Sequence, residues 1–138
     1  MFESLTAYLP KLGISDYGEW IVDRENDGTP EHPIQFPWVL YGETVQELEN
    51  AIYQFVDDHE DLGLIQYGEI LEKSDLKWDM NSMRNADVSK LDGATVMALL
   101  LGAVRAERFC DGALLGFCES GCITKWLKRL KELDDGKC

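Results

Sequence analysis

Apolar residues in this chain recur at helical spacing over most of its length, interrupted by one extended, alternating stretch. Phe2, Leu5, Leu9 and Leu12 predict a first helix, and Pro10 ends or bends it near Leu9. Gly13 and Gly18 bracket a loop. In Glu19–Arg24, Trp20 and Val22 alternate onto one face, which reads as a short strand. Asn26-Asp27-Gly28-Thr29-Pro30 is turn chemistry, since Asp-Gly supplies positive φ and Pro30 punctuates. A second extended segment, Ile34–Tyr41, follows. Pro37 cannot donate to a ladder, so this is an edge strand or one that begins after Pro37. The two segments predict a two-stranded β-meander that needs a helix to cover it.

That helix is predicted next. Thr44-Val45-Gln46-Glu47 fits a capping box. Val45, Leu48, Ile52, Phe55 and Val56 form its buried stripe, with Gln46, Glu47, Glu49, Asn50 and Gln54 toward water. It runs into the acidic cluster Asp57-Asp58-His59-Glu60-Asp61, where acids at a helix C-terminus oppose the macrodipole. Leu64–Lys73 reads as a helix with Ile65, Ile70 and Leu71 inward. Asp75–Lys90 is irregular, anchored by Trp78, Met80 and Met83. Its Asp79-x-Asn81 pair lacks the glycine and terminal Glu of a calcium loop.

Ser89-Lys90-Leu91-Asp92 caps a long helix over about Asp92–Phe109, apolar on nearly every side and therefore central. Gly112 and Gly121 mark chain reversals. They separate a short helix over about Asp111–Ser120 from an amphipathic one over about Cys122–Leu133. In the last helix Ile123, Trp126, Leu127 and Leu130 point inward, and Lys125, Lys128, Arg129 and Lys131 outward. The expected fold is α+β and predominantly helical: a central apolar helix in a C-terminal three-helix unit, with a small two-stranded β-meander, in a single domain spanning residues 1–138.

Charge changes the picture more than composition does. The chain has 138 residues and 45% hydrophobic content, enough for a core, and carries a net charge of −13. Residues 1–92 hold 20 acids and 6 bases, whereas residues 93–138 hold 6 acids and 7 bases. The acidic excess therefore lies wholly in the first two-thirds. An acidic surface favours solubility in general. It also suits a basic partner, for instance the phosphate groove of a nucleic-acid enzyme. Direct binding to nucleic acid is disfavoured, because phosphate neutralisation needs bases. No segment is long and apolar enough to span a bilayer, and no basic leader opens the chain, so a cytoplasmic protein without a membrane association is expected. Four cysteines, Cys110, Cys118, Cys122 and Cys138, are then expected to be reduced.

The candidate chemistry is sparse. Arg105 and Arg108, three residues apart, share a face at the polar end of the central helix, with Asp111 and Glu119 as carboxylate partners. This cluster reads first as a structural ion-pair network and second as an anion pocket for a small ligand or a modest enzyme. The cysteines contain no CxxC pair, so neither a metal nor a cofactor is expected. His32 and His59 lie in acidic, loop-like surroundings and orient no cysteine nucleophile. Gly121 between two short helices leaves a further reading, DNA binding through the basic last helix. Phosphate loops, GxGxxG, HExxH and GxSxG are absent, and no catalytic residue is assigned.

The block Leu99-Leu100-x-x-x-Val104-Arg105-Ala106-Glu107-Arg108-Phe109-Cys110-Asp111-Gly112-x-Leu114, continued by Glu119-x-Gly121-x-Ile123-x-x-x-Leu127-x-Arg129-Leu130-Lys131, resembles a family of small bacterial proteins classified only as a domain of unknown function. The likeness is sharpest over Leu99–Leu133 and recognisable at Leu5–Leu9 and from Tyr41 to Phe55. It implies a fold and brings no activity. Members of that family place His after the motif glycines, where this chain has Ala113 and Cys122, so any chemistry resting on those histidines is lost here.

The leading expectation is a non-enzymatic interaction protein or inhibitor, acting by mimicry of nucleic acid. Its acidic surface, including Glu47, Glu49, Asp57, Asp58, Glu60 and Asp61, engages a basic protein partner.

Overall fold

A computed structural model describes residues 2–12, 17–21, 38–110 and 112–136. The turn over 26–30, Val22, His32, Pro37, Asp111 and Cys138 lie outside these. The fold is α+β and predominantly helical, as the apolar periodicity predicts.

The centre is helix α6, Gly93–Ala106, in which Thr95 through Val104 are all buried. With apolar side chains on every face it must be covered on every face. The covering elements are α3 (Glu43–Asp58), α4 (Tyr67–Lys73), α7 (Ala113–Glu119) and α8 (Cys122–Asp134). Each buried Leu, Val or Met here contributes about 1.5–3 kcal/mol by removing apolar surface from water. The Asp92 carboxylate accepts the Thr95 N–H at 2.8 Å and caps α6, which puts the cap at the last residue of the expected Ser89–Asp92 segment. α6 stops at Ala106, short of Phe109. Arg108 N–H donates to the Arg105 carbonyl and Phe109 N–H to that of Ala106, so the last turn tightens into three-residue bonds and leaves the helix. Arg105 is therefore helical and Arg108 is not.

The beginning of the chain closes against its end. α1 (Glu3–Thr6) and α2 (Leu9–Leu12) break before Pro10, which sits in the first turn of α2, where no N–H is needed. Leu5 and Leu12 are buried, and the Phe2 N–H donates to Asp134 Oδ2 at 2.8 Å. Strands β1 (Gly18–Ile21) and β2 (Trp38–Tyr41) pair antiparallel, Gly18 opposite Tyr41 and Ile21 opposite Trp38. Of the expected strand Glu19–Arg24, Glu19–Ile21 lie in β1, which begins one residue earlier at Gly18, and residues 22–24 lie outside the described residues.

Other differences have local causes. α3 begins at Glu43, because the extended backbone of Gly42 makes the transition into the helix. Thr44 is then already inside α3, two positions past the N-cap Gly42. α3 continues through Asp57 and Asp58. Both are exposed, where solvent screens their conflict with the macrodipole. In the predicted 64–73 helix a short 3-10 turn, Leu64–Gln66, precedes α4. That change of pitch buries Leu64 and leaves Ile65, expected inward, 78% exposed. Met83, on the short helix α5 (Met80–Arg84), is buried as predicted, and Trp78 remains partly open to solvent.

α8 buries Ile123, Trp126, Leu127 and Leu130, as expected, but also Arg129. The Arg129 Nε and Nη2 donate to the Leu91 carbonyl at 3.2 and 3.1 Å, and Nη1 reaches Glu132 at 3.4 Å. A carbonyl at the end of the 3-10 turn Val88–Lys90 needs a donor, and the guanidinium supplies two. The exposed basic row of α8 is accordingly Lys125, Lys128 and Lys131. Among the described residues no helix is long and apolar enough to cross a membrane.

Candidate functional site

Three neighbouring features hold the chemistry: a carboxylate joint, an aromatic ridge with a groove, and a charged cleft.

The joint lies at the start of α7. Gly112 precedes that helix at φ +90° and has no side chain with which to cap it. The unpaired N–H groups are satisfied from elsewhere. The Glu107 carboxylate accepts from Gly112 N at 3.0 and 3.1 Å and from Leu114 N at 3.1 Å. The Tyr41 hydroxyl donates to Glu107 Oε1 at 2.6 Å and accepts from Leu115 N at 2.9 Å. A carboxylate facing a helix N-terminus is favoured by both the dipole and the charge-assisted bonds. Burial, reinforced by the hydrogen bond to Glu107, raises the Tyr41 phenol above its ordinary range. Trp20 of β1 lies over the same turn, so close that a Cβ at Gly112 would stand 2.3 Å from Trp20 Cζ2. Glu107 thus joins α6, α7 and the hairpin, the role expected of the arginines.

The ridge runs Tyr67, Trp78, Phe109. Tyr67 and Trp78 meet edge to face at 5.4 Å between centroids, and Trp78 and Phe109 at 5.7 Å. The Trp78 Nε1 donates to the Gly102 carbonyl at 2.9 Å. The indole reaches α6 because residue 102 has no side chain: a Cβ there would come within 3.2 Å of Trp78 Cδ1. Phe109 is 76% exposed. Behind the ridge opens an apolar groove of about 290 Å³, lined by Trp78, Met80, Met83, Phe109 and Phe117, with Asp79, Ala106, Cys110 and Ala113 completing it.

The cleft lies on the other side of Tyr67. Tyr53, Val56, Asp57, Ile65, Tyr67, Leu101 and Arg105 enclose about 250 Å³. Arg105 Nε is buried without a hydrogen-bond partner. Glu49, Tyr53 and Asp57, four residues apart on α3, share one face of that helix. Arg105 borders Asp57 along it, and Arg108 acts on Glu49. Glu49 is half-buried rather than fully solvated. Burial, then the charge of Glu107, raises its carboxyl above the usual range, while Arg108 opposes the shift. The Cys118 thiol is pushed up to about 12 by burial, and then by the charges of Glu119 and Glu107, which keeps it an unreactive thiol.

The residues singled out from sequence are therefore distributed over separate places. Arg105 lies in the cleft, Arg108 is exposed in the turn after α6, and Glu119 is exposed at the end of α7. Among the described residues no ion pair joins either arginine to Glu119. Asp57, Asp58, Glu60 and Asp61 form an exposed acidic run at the end of α3, with Glu47 exposed further up that helix. Cys110 is exposed and Cys118 and Cys122 are buried. Among the described residues no group of His, Cys, Asp or Glu is placed to hold a metal ion. Sequence reading passed over Glu107 and the ridge. A signal for Glu107 existed: an acid five residues before a glycine that opens a helix with no capping side chain. For the ridge there was none, because Tyr67, Trp78 and Phe109 come from three separate segments.

Ala113 and Cys122, the first residues of α7 and α8, are both buried. No curated protein and no solved structure matches the chain. A match to a family of unknown function, DUF6508, covers residues 2–136, and the chain belongs to that family.

Proposed function

We propose that this protein is a non-enzymatic protein-interaction module that binds a basic partner, in the manner of an inhibitor mimicking nucleic acid. The observation that carries this reading is the ridge of Tyr67, Trp78 and Phe109 standing beside the exposed run Asp57, Asp58, Glu60 and Asp61. The two are linked through Tyr67, which borders Asp57 in the cleft and Trp78 on the ridge. Aromatic anchors flanked by charge are what protein interfaces use. The aromatics supply affinity once desolvated, and the charges steer the approach. A phenylalanine left 76% exposed beside an apolar groove otherwise costs solubility. The Met80 and Met83 side chains give the groove a deformable floor suited to an apolar side chain from a partner.

Cross-linking capture from a bacterial lysate tests the reading, comparing the natural chain with Phe109→Ala and with Asp58→Asn/Glu60→Gln/Asp61→Asn. A specific basic partner should be captured by the natural chain, more weakly by both variants, and with a steep loss between about 50 and 500 mM salt. A partner bound equally well by all three proteins would sink the proposal.

A further inference from the structure

The Arg105 cleft shares Asp57 and Tyr67 with the partner surface and adds an arginine to them. Arg105, at the end of α6, lines this cleft with Tyr53 and Tyr67, with Val56 and Leu101 as apolar wall, and with Asp57 of α3. Its guanidinium makes no hydrogen bond or ion pair among the described residues, and its Nε is cut off from bulk solvent. With Nε enclosed by the protein, the two Nη groups, which make no bond among the described residues, are the donors left for an acceptor entering the cleft. Asp57 borders the same cleft without forming an ion pair with Arg105. Two opposite charges thus share a small cavity and leave a gap between them.

We infer that this cleft binds a small zwitterion of the α-amino acid type. The ligand carboxylate takes the two-pronged bond from Arg105, and its ammonium faces Asp57. An apolar side chain lies between Tyr53 and Tyr67 against Val56 and Leu101. Three features select this class. A guanidinium matches a carboxylate in a planar fork. Asp57 opposes a dianion such as phosphate but favours an ammonium carried on the carbon next to the carboxylate. The volume of about 250 Å³ lies just below the usual range for ligand pockets, which excludes nucleotides and larger cofactors. The inference does not depend on the partner surface. An occupied cleft would nevertheless touch Tyr67, the first residue of the ridge.

The test uses the full chain, with leucine, N-acetyl-leucine, leucinamide and inorganic phosphate as probes in calorimetric titration and thermal unfolding. Leucine at saturation should raise Tm by about 3 °C, while N-acetyl-leucine, leucinamide and phosphate should bind at least about tenfold more weakly. Arg105→Lys keeps the charge, loses the fork, and should weaken leucine binding by about tenfold or more. Asp57→Asn, a change at an exposed position, should weaken leucine while sparing N-acetyl-leucine. Phosphate binding as tightly as leucine would overturn the zwitterion assignment. No binding by any probe at about 10 mM, or leucine binding unchanged in both variants, would overturn the site itself.

Discussion

The Tyr41 hydroxyl donates to Glu107 Oε1 at 2.6 Å and accepts from the Leu115 N–H at 2.9 Å, so one phenol closes a bridge between the hairpin, the end of α6 and the start of α7. The two residues are 66 positions apart in the chain. Both are partly buried, where an unmade bond is expensive.

Removing either partner should therefore cost more than a surface hydrogen bond. Tyr41→Phe leaves the Leu115 N–H unsatisfied and is expected to destabilise by about 1–3 kcal/mol. Glu107→Ala strips the Gly112 and Leu114 N–H groups as well and should cost about 2–4 kcal/mol. Because both act on one network, the double variant should lose less than the sum. Urea denaturation of the four proteins checks this, and strict additivity would show that the bridge carries no coupling.

Glu49 gives a pH signature. In the unfolded chain it titrates at the ordinary 4.5; in the fold, burial first and the Glu107 charge second raise it. Between those two values the folded protein holds more proton than the unfolded one. Its stability falls as pH climbs through that window and stays lower above it. Glu49→Gln should match the natural chain below pH 4.5 and be the more stable of the two at pH 7. Thermal unfolding across this range decides, and a less stable variant at pH 7 would mean that Glu49 makes a favourable charged contact.

Gly112 is constrained twice. Its φ of +90° disfavours any side chain by about 1–2 kcal/mol, and a Cβ would collide with Trp20. Gly112→Ala should destabilise by about 2 kcal/mol or more, and part of that should vanish in a Trp20→Ala background. Denaturation midpoints of the single and double variants separate backbone strain from collision.

Phe109 and Trp78 should separate binding from folding. Phe109→Ala removes a side chain that is 76% exposed and should shift stability by no more than about 0.5 kcal/mol. Trp78→Ala also loses the bond to the Gly102 carbonyl and should cost about 1–3 kcal/mol. On a captured partner, each should weaken affinity by about tenfold or more. A Phe109→Ala protein that binds normally would remove the ridge from the interface.

Periodicity alone determined the helical core. The unbroken apolar run of α6 placed it at the centre, the stripe from Val45 to Val56 oriented α3, and Ile123, Trp126, Leu127 and Leu130 oriented α8. The capping segment Ser89–Asp92 was legible because a capping acceptor reaches only three residues along its own chain. Such features depend on spacing within one segment, which the order of residues states directly.

Tertiary structure decided where the polar groups go. Arg129 stands among the lysines in sequence but turns inward, because the carbonyl of Leu91, 38 residues away, needs its donors. Glu107, between two arginines that drew attention to themselves, became the joint because α7 begins at a glycine and Tyr41 arrives from the hairpin. Ile65 was turned out by a 3-10 turn that shifts helical phase. A buried apolar side chain needs only to face the interior, which its own helix specifies. A polar one needs a particular atom at about 3 Å, and that atom is supplied by whichever distant segment packs against it.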